Sequence, residues 1–219
     1  MNVSISLELK DKAPGMALGI TRCRVSNSNT QPGLLEEINE YQEYIRQHDT
    51  LADVKNIPHI AATRKVYKAC GKDPNRYRPA TESLYRRIIK GMDLYHINTL
   101  VDLVNLVGLK TGYSLGGFDA DLIYWPVEAG VGHEKETFYG IGRGALNIAG
   151  LPVLRDQEGA IGTPTSDEKR TAISPETTNL FVNINGYSGP DPLQEALDLT
   201  RRLLEQYAEA TDIIQEIVE

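Results

Sequence analysis

The sequence contains few residues of the types that build disulfide frameworks and large aromatic cores. Its 219 residues include two cysteines, one tryptophan and three phenylalanines. Cys23 and Cys70 are too few for a disulfide framework, and no Cys-x-x-Cys or His-x-x-x-His spacing suggests a zinc site. No apolar run approaches the ~18 residues that a membrane-spanning helix needs. We therefore expect no disulfide scaffold, no metal and no membrane span.

The first residues, MNVSISLELKDKAPG, also lack the basic, apolar and small-residue pattern of an export signal. Hydrophobic residues make up 41% of the chain and charged residues 24%, which is an ordinary globular composition with enough apolar material for a core. The sequence shows neither a linker nor an internal repeat. We expect a soluble, cytoplasmic chain with one domain over residues 1–219.

Charged residues are unevenly distributed along a chain whose net charge is −7. Such a net charge disfavours diffuse binding to nucleic acid, which requires a basic field. Residues 62–90, however, carry nine lysines and arginines against Asp73 and Glu82, whereas residues 190–219 carry eight acids against two arginines. Two interpretations of residues 62–90 remain open, namely local contact with a polyanion and a solvated helical face.

Periodic apolar patterns predict an α+β chain. Alternating polar and apolar residues predict strands, and helical spacing predicts helices. The predicted strands lie at residues 3–9, 16–25 and 180–184, with further short strands between 108 and 181. The predicted helices lie at residues 34–45, 60–70, 81–90 and 98–109, with a long closing helix from 192 to 218.

Two groups of polar residues stand out from this pattern. Asn98, Asp102 and Asn105 share one stripe of a helix that is otherwise apolar, and a buried polar stripe is costly unless each group finds a partner. We expect Asp102 to accept hydrogen bonds from backbone amides of a neighbouring loop. The second group is residues 162–171, GTPTSDEKRT, where a polar turn and a ligand-binding loop both fit the composition.

Other motif-like residues are better explained by structure than by chemistry. The Gly-x-Gly sequences at 130–132 and 140–144 are not followed by a helical pattern, so no dinucleotide or phosphate loop is expected. Ser114 lacks the glycine spacing of a nucleophile elbow. The four histidines are scattered without the spacing of metal ligands. We therefore expect no cofactor.

The run HINTLVDLVNLVGLKTGYSLGGFDADLI, at residues 96–123, resembles the B3/B4 domain of the bacterial phenylalanyl-tRNA synthetase β subunit. That family reads roughly I-N-N-V-V-D-V-T-N-Y-V, followed by G-Q-P-L-H-A-F-D. The shared positions include Ile97, Asn98, Val101, Asp102, Asn105, Leu115, Phe118 and Asp119. The basic helix before this run and the 162–171 loop after it resemble free-standing B3/B4-domain proteins, and this resemblance spans most of residues 60–207. Nothing resembles the catalytic or anticodon-binding domains of the synthetase.

The resemblance implies an α+β fold of three layers, with a β-sandwich-like core and flanking helices. In the synthetase this domain binds tRNA and hydrolyses tyrosine that was attached to the phenylalanine tRNA. The resemblance therefore implies an aminoacyl-tRNA-editing-like ester hydrolase that acts in trans, with tRNA as its partner. Asn105 matches the family's pocket asparagine, Gly116 stands where the family has histidine, and residues 180–183 carry no acid where the family has glutamate.

On this interpretation the catalytic groups are Asn105 and the backbone amides near Gly116 and Gly117, which would orient water or the ester carbonyl. No general base is evident in the sequence. The amino acid or the terminal ribose would be held by the polar loop, through Ser166, Arg170 and Thr171. Because Asn105 matches the family's pocket asparagine and the loop is crowded with polar residues, we expect Asn105 and this loop to border the same pocket.

The same interpretation assigns RNA contact to the basic segment, within it to Arg76, Arg78, Arg86 and Arg87. The helical pattern places Arg86 and Arg87 on the outward face of their helix. Two alternatives remain open. One is a non-catalytic RNA-binding module, and the other is a pocket for a free amino acid or an amino-acid-like metabolite, which the acidic composition favours.

Overall fold

The computed structural model describes residues 2–219, and this range contains six α-helices and eleven strands. The helices are α1 (Leu7–Lys12), α2 (Pro32–His48), α3 (Pro58–Ala69), α4 (Ala80–Ile89), α5 (Thr99–Thr111) and α6 (Leu193–Tyr207). The strands are β1 (Val3–Ile5), β2 (Ala17–Arg24), β3 (Ser114–Asp119), β4 (Val127–Val131), β5 (Tyr139–Gly140), β6 (Gly144–Ala145), β7 (Pro152–Asp156), β8 (Gly159–Thr163), β9 (Ser166–Asp167), β10 (Asn179–Gly186) and β11 (Thr211–Val218). Short 3-10 helices span Val54–Asn56, Ala120–Leu122 and Lys169–Thr171.

Most strands belong to two sheets that pack face to face. The first sheet has the order β1-β4-β7-β8-β9, with β1 parallel to β4 and the other pairs antiparallel. The second sheet is antiparallel and has the order β11-β2-β10-β3. Apolar side chains from both sheets form one buried cluster, among them Ile20, Phe118, Val127, Leu154 and Phe181. Each sheet therefore buries one face against the other, as in a β-sandwich.

Helices α2, α4, α5 and α6 form a third layer on the other face of the second sheet. A separate buried cluster joins Leu180 and Val182 of this sheet to apolar residues of these four helices. Because side chains alternate along β10, Leu180 and Val182 face the helices while Phe181 faces the first sheet. The expected α+β fold, with three layers and a β-sandwich-like core, is confirmed.

Residues 2–61 supply parts of both sheets and of the helical layer. Strand β1 pairs with β4, β2 lies between β10 and β11, and α2 contacts α4 and α5. This N-terminal part is therefore packed into the same cores as the rest of the chain.

Local patterns predicted most of the helices and central strands correctly. Helices α2, α3, α4 and α5 confirm the four helices expected between residues 34 and 109. Gly112 follows the last residue of α5 and caps the helix, and its φ of 76° lies in the left-handed region that glycine adopts without strain. Strand β2 confirms the strand expected at 16–25, and β10 contains the one expected at 180–184.

The predicted first strand is wrong beyond Ile5. Ser6 follows β1, and its side chain accepts a hydrogen bond from the Leu9 amide over 3.2 Å, which caps the N-terminus of α1. Leu9 is then buried by helical geometry, while Leu7 is 80% exposed. The alternating apolar pattern fits a strand, but the serine cap redirects the chain into a helix.

The predicted closing helix is also too long, because α6 ends at Tyr207 and the chain continues as β11. Glu209 and Asp212 have φ angles of 49° and 53°, in the left-handed region that interrupts a helix. The following residues are rich in β-branched isoleucine and valine, which favour strands. Strand β11 pairs with β2 and completes the second sheet.

Candidate active site

A cavity of about 250 Å³ lies where α5, β3 and the polar loop at residues 162–171 meet. Its wall is mostly apolar and includes Ala80, Ile97, Val101, Val104, Leu115, Ile141, Ala172 and Ile173. Its more polar members are Asn105, Gly117, Thr163, Ser166 and Asp167. Asn105 and the polar loop thus border one pocket, as the sequence predicts. An apolar pocket with a few converging polar groups is typical of small-ligand sites.

Asp167 is the one ionisable residue among the described residues that line this cavity. It ends strand β9 and is partly buried. The Gly117 amide donates a hydrogen bond to its Oδ2 over 3.4 Å, and within residues 2–219 no other group donates to this carboxylate. Burial raises the pKa of Asp167 to about 7, and the bond from Gly117 lowers it only in part. Such a carboxyl group is half ionised at neutral pH, so it can accept and return a proton.

The loop that carries Asp167 is held in place by its own hydrogen bonds. Thr163 Oγ1 accepts from the amides of Thr165 and Ser166 over 3.1 and 3.0 Å, and its hydroxyl donates to the Ser166 carbonyl over 3.0 Å. Gly162 pairs with Asp167 across β8 and β9, and a Cβ on Gly162 would lie 2.9 Å from Asp167 Oδ1. The turn therefore fixes the carboxylate, and the glycine leaves room for it.

Asn98 lies at the N-terminus of α5, and Asn105 lies near the middle of the helix. Asn98 caps the helix, because its Oδ1 accepts a hydrogen bond from the Val101 amide over 2.9 Å. Asn105 lies two turns further on and lines the cavity. Within residues 2–219 its side-chain amide has no hydrogen-bond partner, so it is available to a ligand.

Asp102, which lies between Asn98 and Asn105 in the sequence, accepts a hydrogen bond from a backbone amide, as the sequence predicts. It is 2% exposed, and its Oδ1 accepts a hydrogen bond from the Ile97 amide over 3.1 Å. Its Oδ2 accepts from the Thr30 hydroxyl over 2.6 Å and lies 3.2 Å from His96 Nδ1. The carboxylate thus ties the first turn of α5 to the segments that precede α2 and α5.

Strand β3 presents its two glycines to opposite sides. Gly117 lines the cavity, where an added Cβ would lie 3.1 Å from Ile173 Cδ1. Gly116 faces the space between the sheets, where an added Cβ would lie 2.6 Å from Asn183 Oδ1 and from the Phe118 ring. This corrects the expectation that both glycines border the site, because successive residues of a strand alternate in direction.

Of the three predicted binding residues, Ser166 reaches the cavity and the other two do not. Arg170 donates to both oxygens of Asp156, over 2.9 and 2.8 Å, so its guanidinium is engaged in an ion pair outside the cavity wall. Thr171 is fully buried, and the next residue, Ala172, lines the cavity instead. The composition of the loop shows its polar side chains but not the directions in which they point.

The predicted RNA-contacting arginines of α4 and the preceding loop are largely engaged within the protein. Arg86 does not project into solvent as the helical pattern predicts, since its Nε donates to Glu82 Oε1 over 2.9 Å. Glu82 is fully buried and is also bound by Arg64 at 2.8 Å and by Arg78 at 3.4 Å. A buried carboxylate requires compensating charge, which explains why three arginines converge on it.

The other two predicted arginines are less constrained. Arg87 stacks over the Tyr95 ring, 4.0 Å from its centre, and donates to the Asp93 carbonyl over 2.6 Å. Arg76 is exposed, with its guanidinium 5.6 Å from the centre of the Tyr77 ring. RNA contact by these arginines stays a prediction.

The basic segment nevertheless adjoins the cavity. The Ala80 amide donates to the Pro164 carbonyl over 2.8 Å, and the Thr165 hydroxyl donates to the Tyr77 carbonyl over 2.9 Å. Two hydrogen bonds therefore fix residues 62–90 against the loop that carries the cavity carboxylate.

Asp167 is the candidate that sequence reasoning did not select. It lies among several polar residues of GTPTSDEKRT, and nothing local distinguishes it from Glu168 beside it. Its environment is created by Gly117, 50 residues earlier in the chain, and by the packing of α5. The available signal is a weak one, namely an acid that closely follows the short apolar run at residues 160–162.

Two structural absences apply to residues 2–219. No group of three or more His, Cys, Asp or Glu side chains in this range is arranged to hold a metal ion. No helix in the same range is both long and apolar enough to cross a membrane.

The sequence profile of the B3/4 domain matches residues 62–209, well over half of the chain. The chain belongs to the B3/4 domain family. The match contains all the residues that line the cavity, so the candidate site is a feature of the B3/4 domain itself.

Among solved structures, the chain is similar to an N-terminal fragment of the phenylalanyl-tRNA synthetase beta subunit from Pyrococcus horikoshii. The sequence identity is 15% and the TM-score is 0.48. The alignment covers 99% of this chain and 50% of the fragment, so the B3/4 chain spans half the fragment's length. The comparison with curated proteins gave no match.

Proposed function

We propose that this B3/4 domain hydrolyses an aminoacyl ester, the bond that joins an amino acid to the terminal ribose of a tRNA, and acts on it in trans. The observation that carries the proposal is the carboxyl group of Asp167, whose pKa burial raises to about 7, in an apolar cavity that the unpartnered amide of Asn105 also lines. Such an ester needs little from a protein beyond an activated water, an oxyanion partner and exclusion of bulk solvent.

Asp167 would act as the general base. Its ionised carboxylate accepts a proton from a water molecule while the oxygen of that water attacks the ester carbonyl carbon. The Asn105 amide donates a hydrogen bond to the oxyanion that forms. When the intermediate collapses, the bond to the ribose oxygen breaks, and the proton on Asp167 passes to that leaving oxygen. The products are a free amino acid and an intact tRNA.

The apolar wall would select the amino acid side chain. A cavity of about 250 Å³ lies below the range of roughly 300–1,000 Å³ for drug-sized ligands, and it suits a group of amino-acid size. Gly117 sets its depth, because an added Cβ would lie 3.1 Å from Ile173 and 3.2 Å from Val104.

The basic segment supports tRNA as the carrier of the ester. Residues 62–90 hold nine lysines and arginines and two acids in a chain whose net charge is −7. Binding of a polyanion must therefore be local and sensitive to salt. Because this segment is hydrogen-bonded to the loop of Asp167, a bound RNA end would lie close to the cavity.

Hydrolysis of a panel of mischarged tRNAs by the purified chain tests the proposal. Asp167→Asn keeps the shape of the side chain but removes the base, so we expect kcat/KM to fall by about 100-fold or more. Asp11→Asn, at an exposed aspartate of α1, is the matched control and should leave the rate unchanged. Equal rates for wild type and Asp167→Asn would contradict the proposed base.

The cavity also favours a second candidate, binding of a free amino acid without catalysis. An apolar wall with one carboxylate can hold a hydrophobic molecule that carries an ammonium group. This candidate is supported if no mischarged tRNA is hydrolysed and calorimetry detects a free amino acid whose binding Asp167→Asn abolishes. Binding of tRNA without either property would instead indicate a non-catalytic RNA-binding module.

A further inference from the structure

A second concave surface, of about 490 Å³, lies on helix α3 and the 3-10 turn that precedes it, and it shares no residue with the cavity. Three lysines, Lys55, Lys65 and Lys68, line it together with Arg64, Asn56 and Asn75. We call this surface the lysine groove. It is open to solvent, and all three lysines are exposed.

The groove follows from the amphipathic pattern of α3. Arg64, Lys65 and Lys68 lie at helical spacing on one face, since residues three and four positions apart are neighbours on a helix surface. Thr63 and Tyr67 lie on the buried face. One side of α3 therefore packs into the protein while the other presents a row of cationic groups.

The lysines of the groove are unpaired, unlike the arginines that surround Glu82. Within residues 2–219, the side-chain ammonium groups of Lys55, Lys65 and Lys68 have neither an ion pair nor a hydrogen bond to another residue. Arg64 in the same groove is already matched by Glu82 at 2.8 Å. The ammonium groups of these lysines thus remain available to an external anion.

We propose that the lysine groove binds the phosphodiester backbone of the RNA that carries the ester to the cavity. This inference rests on the proposed function and identifies the surface through which its substrate is held. An open groove with several separated cations suits a polymer of regularly repeated negative charges better than a single enclosed anion. Local cationic charge in a chain of net −7 also restricts the polyanion to this side of the molecule.

Helix α3 connects the groove to the cavity. The Tyr67 hydroxyl, on the buried face of α3, shares a hydrogen bond of 2.8 Å with Thr165 Oγ1. Thr165 lies two residues before Asp167 in the polar loop. The groove and the carboxylate are therefore fixed with respect to each other, so RNA held at one site can present its end at the other.

Fluorescence anisotropy of the full chain with a labelled, deacylated tRNA transcript, over a series of salt concentrations, tests the groove. The groove variant combines Lys55→Gln, Lys65→Gln and Lys68→Gln, because glutamine removes the charge but keeps nearly the same helix propensity. The control variant removes three lysines outside the groove and the polar loop, through Lys10→Gln, Lys12→Gln and Lys135→Gln.

We expect the groove variant to bind about 10- to 100-fold more weakly at ~0.1 M salt, with the slope of log K against log salt flatter by about 2, since each phosphate contact contributes roughly 0.7. The control variant should keep the wild-type slope. Both variants should show the wild-type unfolding temperature, because the altered side chains lie at the surface.

Equal slopes for the groove and control variants would overturn the inference. Wild-type binding to phosphatidylserine vesicles but not to the transcript would also overturn it, in favour of a membrane surface. Deacylation assays on the same samples separate this inference from the proposed function. If binding depends on the groove but no ester is hydrolysed, the groove is supported as an RNA-binding surface and the proposed hydrolysis is contradicted. If hydrolysis depends on Asp167 but not on the groove lysines, the proposed hydrolysis is supported and the groove is contradicted.

Discussion

Asp156 and Asp167 end strands β7 and β9 of the same sheet, and burial acts to raise the pKa of both carboxyl groups. At Asp156 this effect is outweighed by hydrogen bonds from Arg170, over 2.9 and 2.8 Å, and from the Tyr124 amide over 2.9 Å, so its pKa is lowered. Asp167 receives one bond, of 3.4 Å, from the Gly117 amide, and its pKa rises to about 7.

The difference shows that hydrogen-bond donors, rather than burial alone, decide whether the pKa of a buried acid is lowered or raised in this molecule. Asp156 is held as an anion by its donors, and it ties the Arg170 guanidinium and the Tyr124 amide to the end of β7. Asp102 in α5 also has a structural role, because three groups contact its oxygens. Asp167 accepts one hydrogen bond and lines a cavity. A carboxyl group in such an environment is suited to exchange protons near neutral pH.

The largest effect on stability is expected at the acid with the most donors. Asp156→Ala leaves the Arg170 guanidinium and several backbone amides without their partner, so the free energy of unfolding should fall by about 3–5 kcal/mol. Urea denaturation measures the change. Asp121→Ala, at an exposed aspartate, should cost less than about 1 kcal/mol. Equal losses in the two variants would show that the donors around Asp156 do not stabilise the fold.

A smaller loss of stability is expected from a substitution in the first turn of α5. Asp102→Ala removes the acceptor for the Ile97 amide and the Thr30 hydroxyl, so we expect destabilisation by about 1–3 kcal/mol. Asp102→Asn keeps one carbonyl acceptor and should cost less. Thermal unfolding of both variants checks the order, and an unchanged melting temperature in Asp102→Ala would refute the structural role.

At Asp167 we expect a substitution to increase the free energy of unfolding rather than to decrease it. Because its pKa is raised from 3.8 to about 7 in the folded state, the folded protein retains a proton that the unfolded chain releases between these pH values. The free energy of unfolding therefore falls as pH rises through this window. At pH 8, Asp167→Asn should be more stable than wild type by about 1–2 kcal/mol, after allowance for partial exposure of the side chain.

Near pH 4 the carboxyl group is protonated in the folded state and only partly ionised in the unfolded state, so this advantage of Asp167→Asn should nearly disappear. Urea denaturation of wild type and variant at pH 4, 6 and 8 measures the difference. A variant less stable than wild type at pH 8 would place Asp167 in the same class as Asp156.

Sequence reasoning was sufficient for features that depend on local periodicity. Helices α2 to α5 follow from apolar residues at helical spacing, and the polar stripe of α5 indicated Asp102 as a structural residue. The family resemblance, rather than periodicity, indicated Asn105 as a pocket residue. The family resemblance was carried by the same stretch, and the B3/4 match over residues 62–209 confirms it.

Features that depend on distant contacts were not predictable in this way. Helical periodicity placed Arg86 at the surface, but it does not show that Glu82, on the same helix, is buried and draws arginines inward. Arg170 and Asp167 lie three residues apart in one polar loop, yet Arg170 binds Asp156 on another strand while Asp167 faces Gly117. Their environments are set by the packing of the sheets.

The pH dependence of mischarged-tRNA hydrolysis is the measurement that tests Asp167 as the base most directly. With saturating enzyme and correction for spontaneous hydrolysis, the wild-type rate should rise about tenfold per pH unit below pH 7 and level off above it, as ionisation of Asp167 becomes complete. In Asp167→Asn this inflection should vanish together with most of the rate. An inflection near pH 7 that persists in Asp167→Asn, with an undiminished rate, would contradict the account.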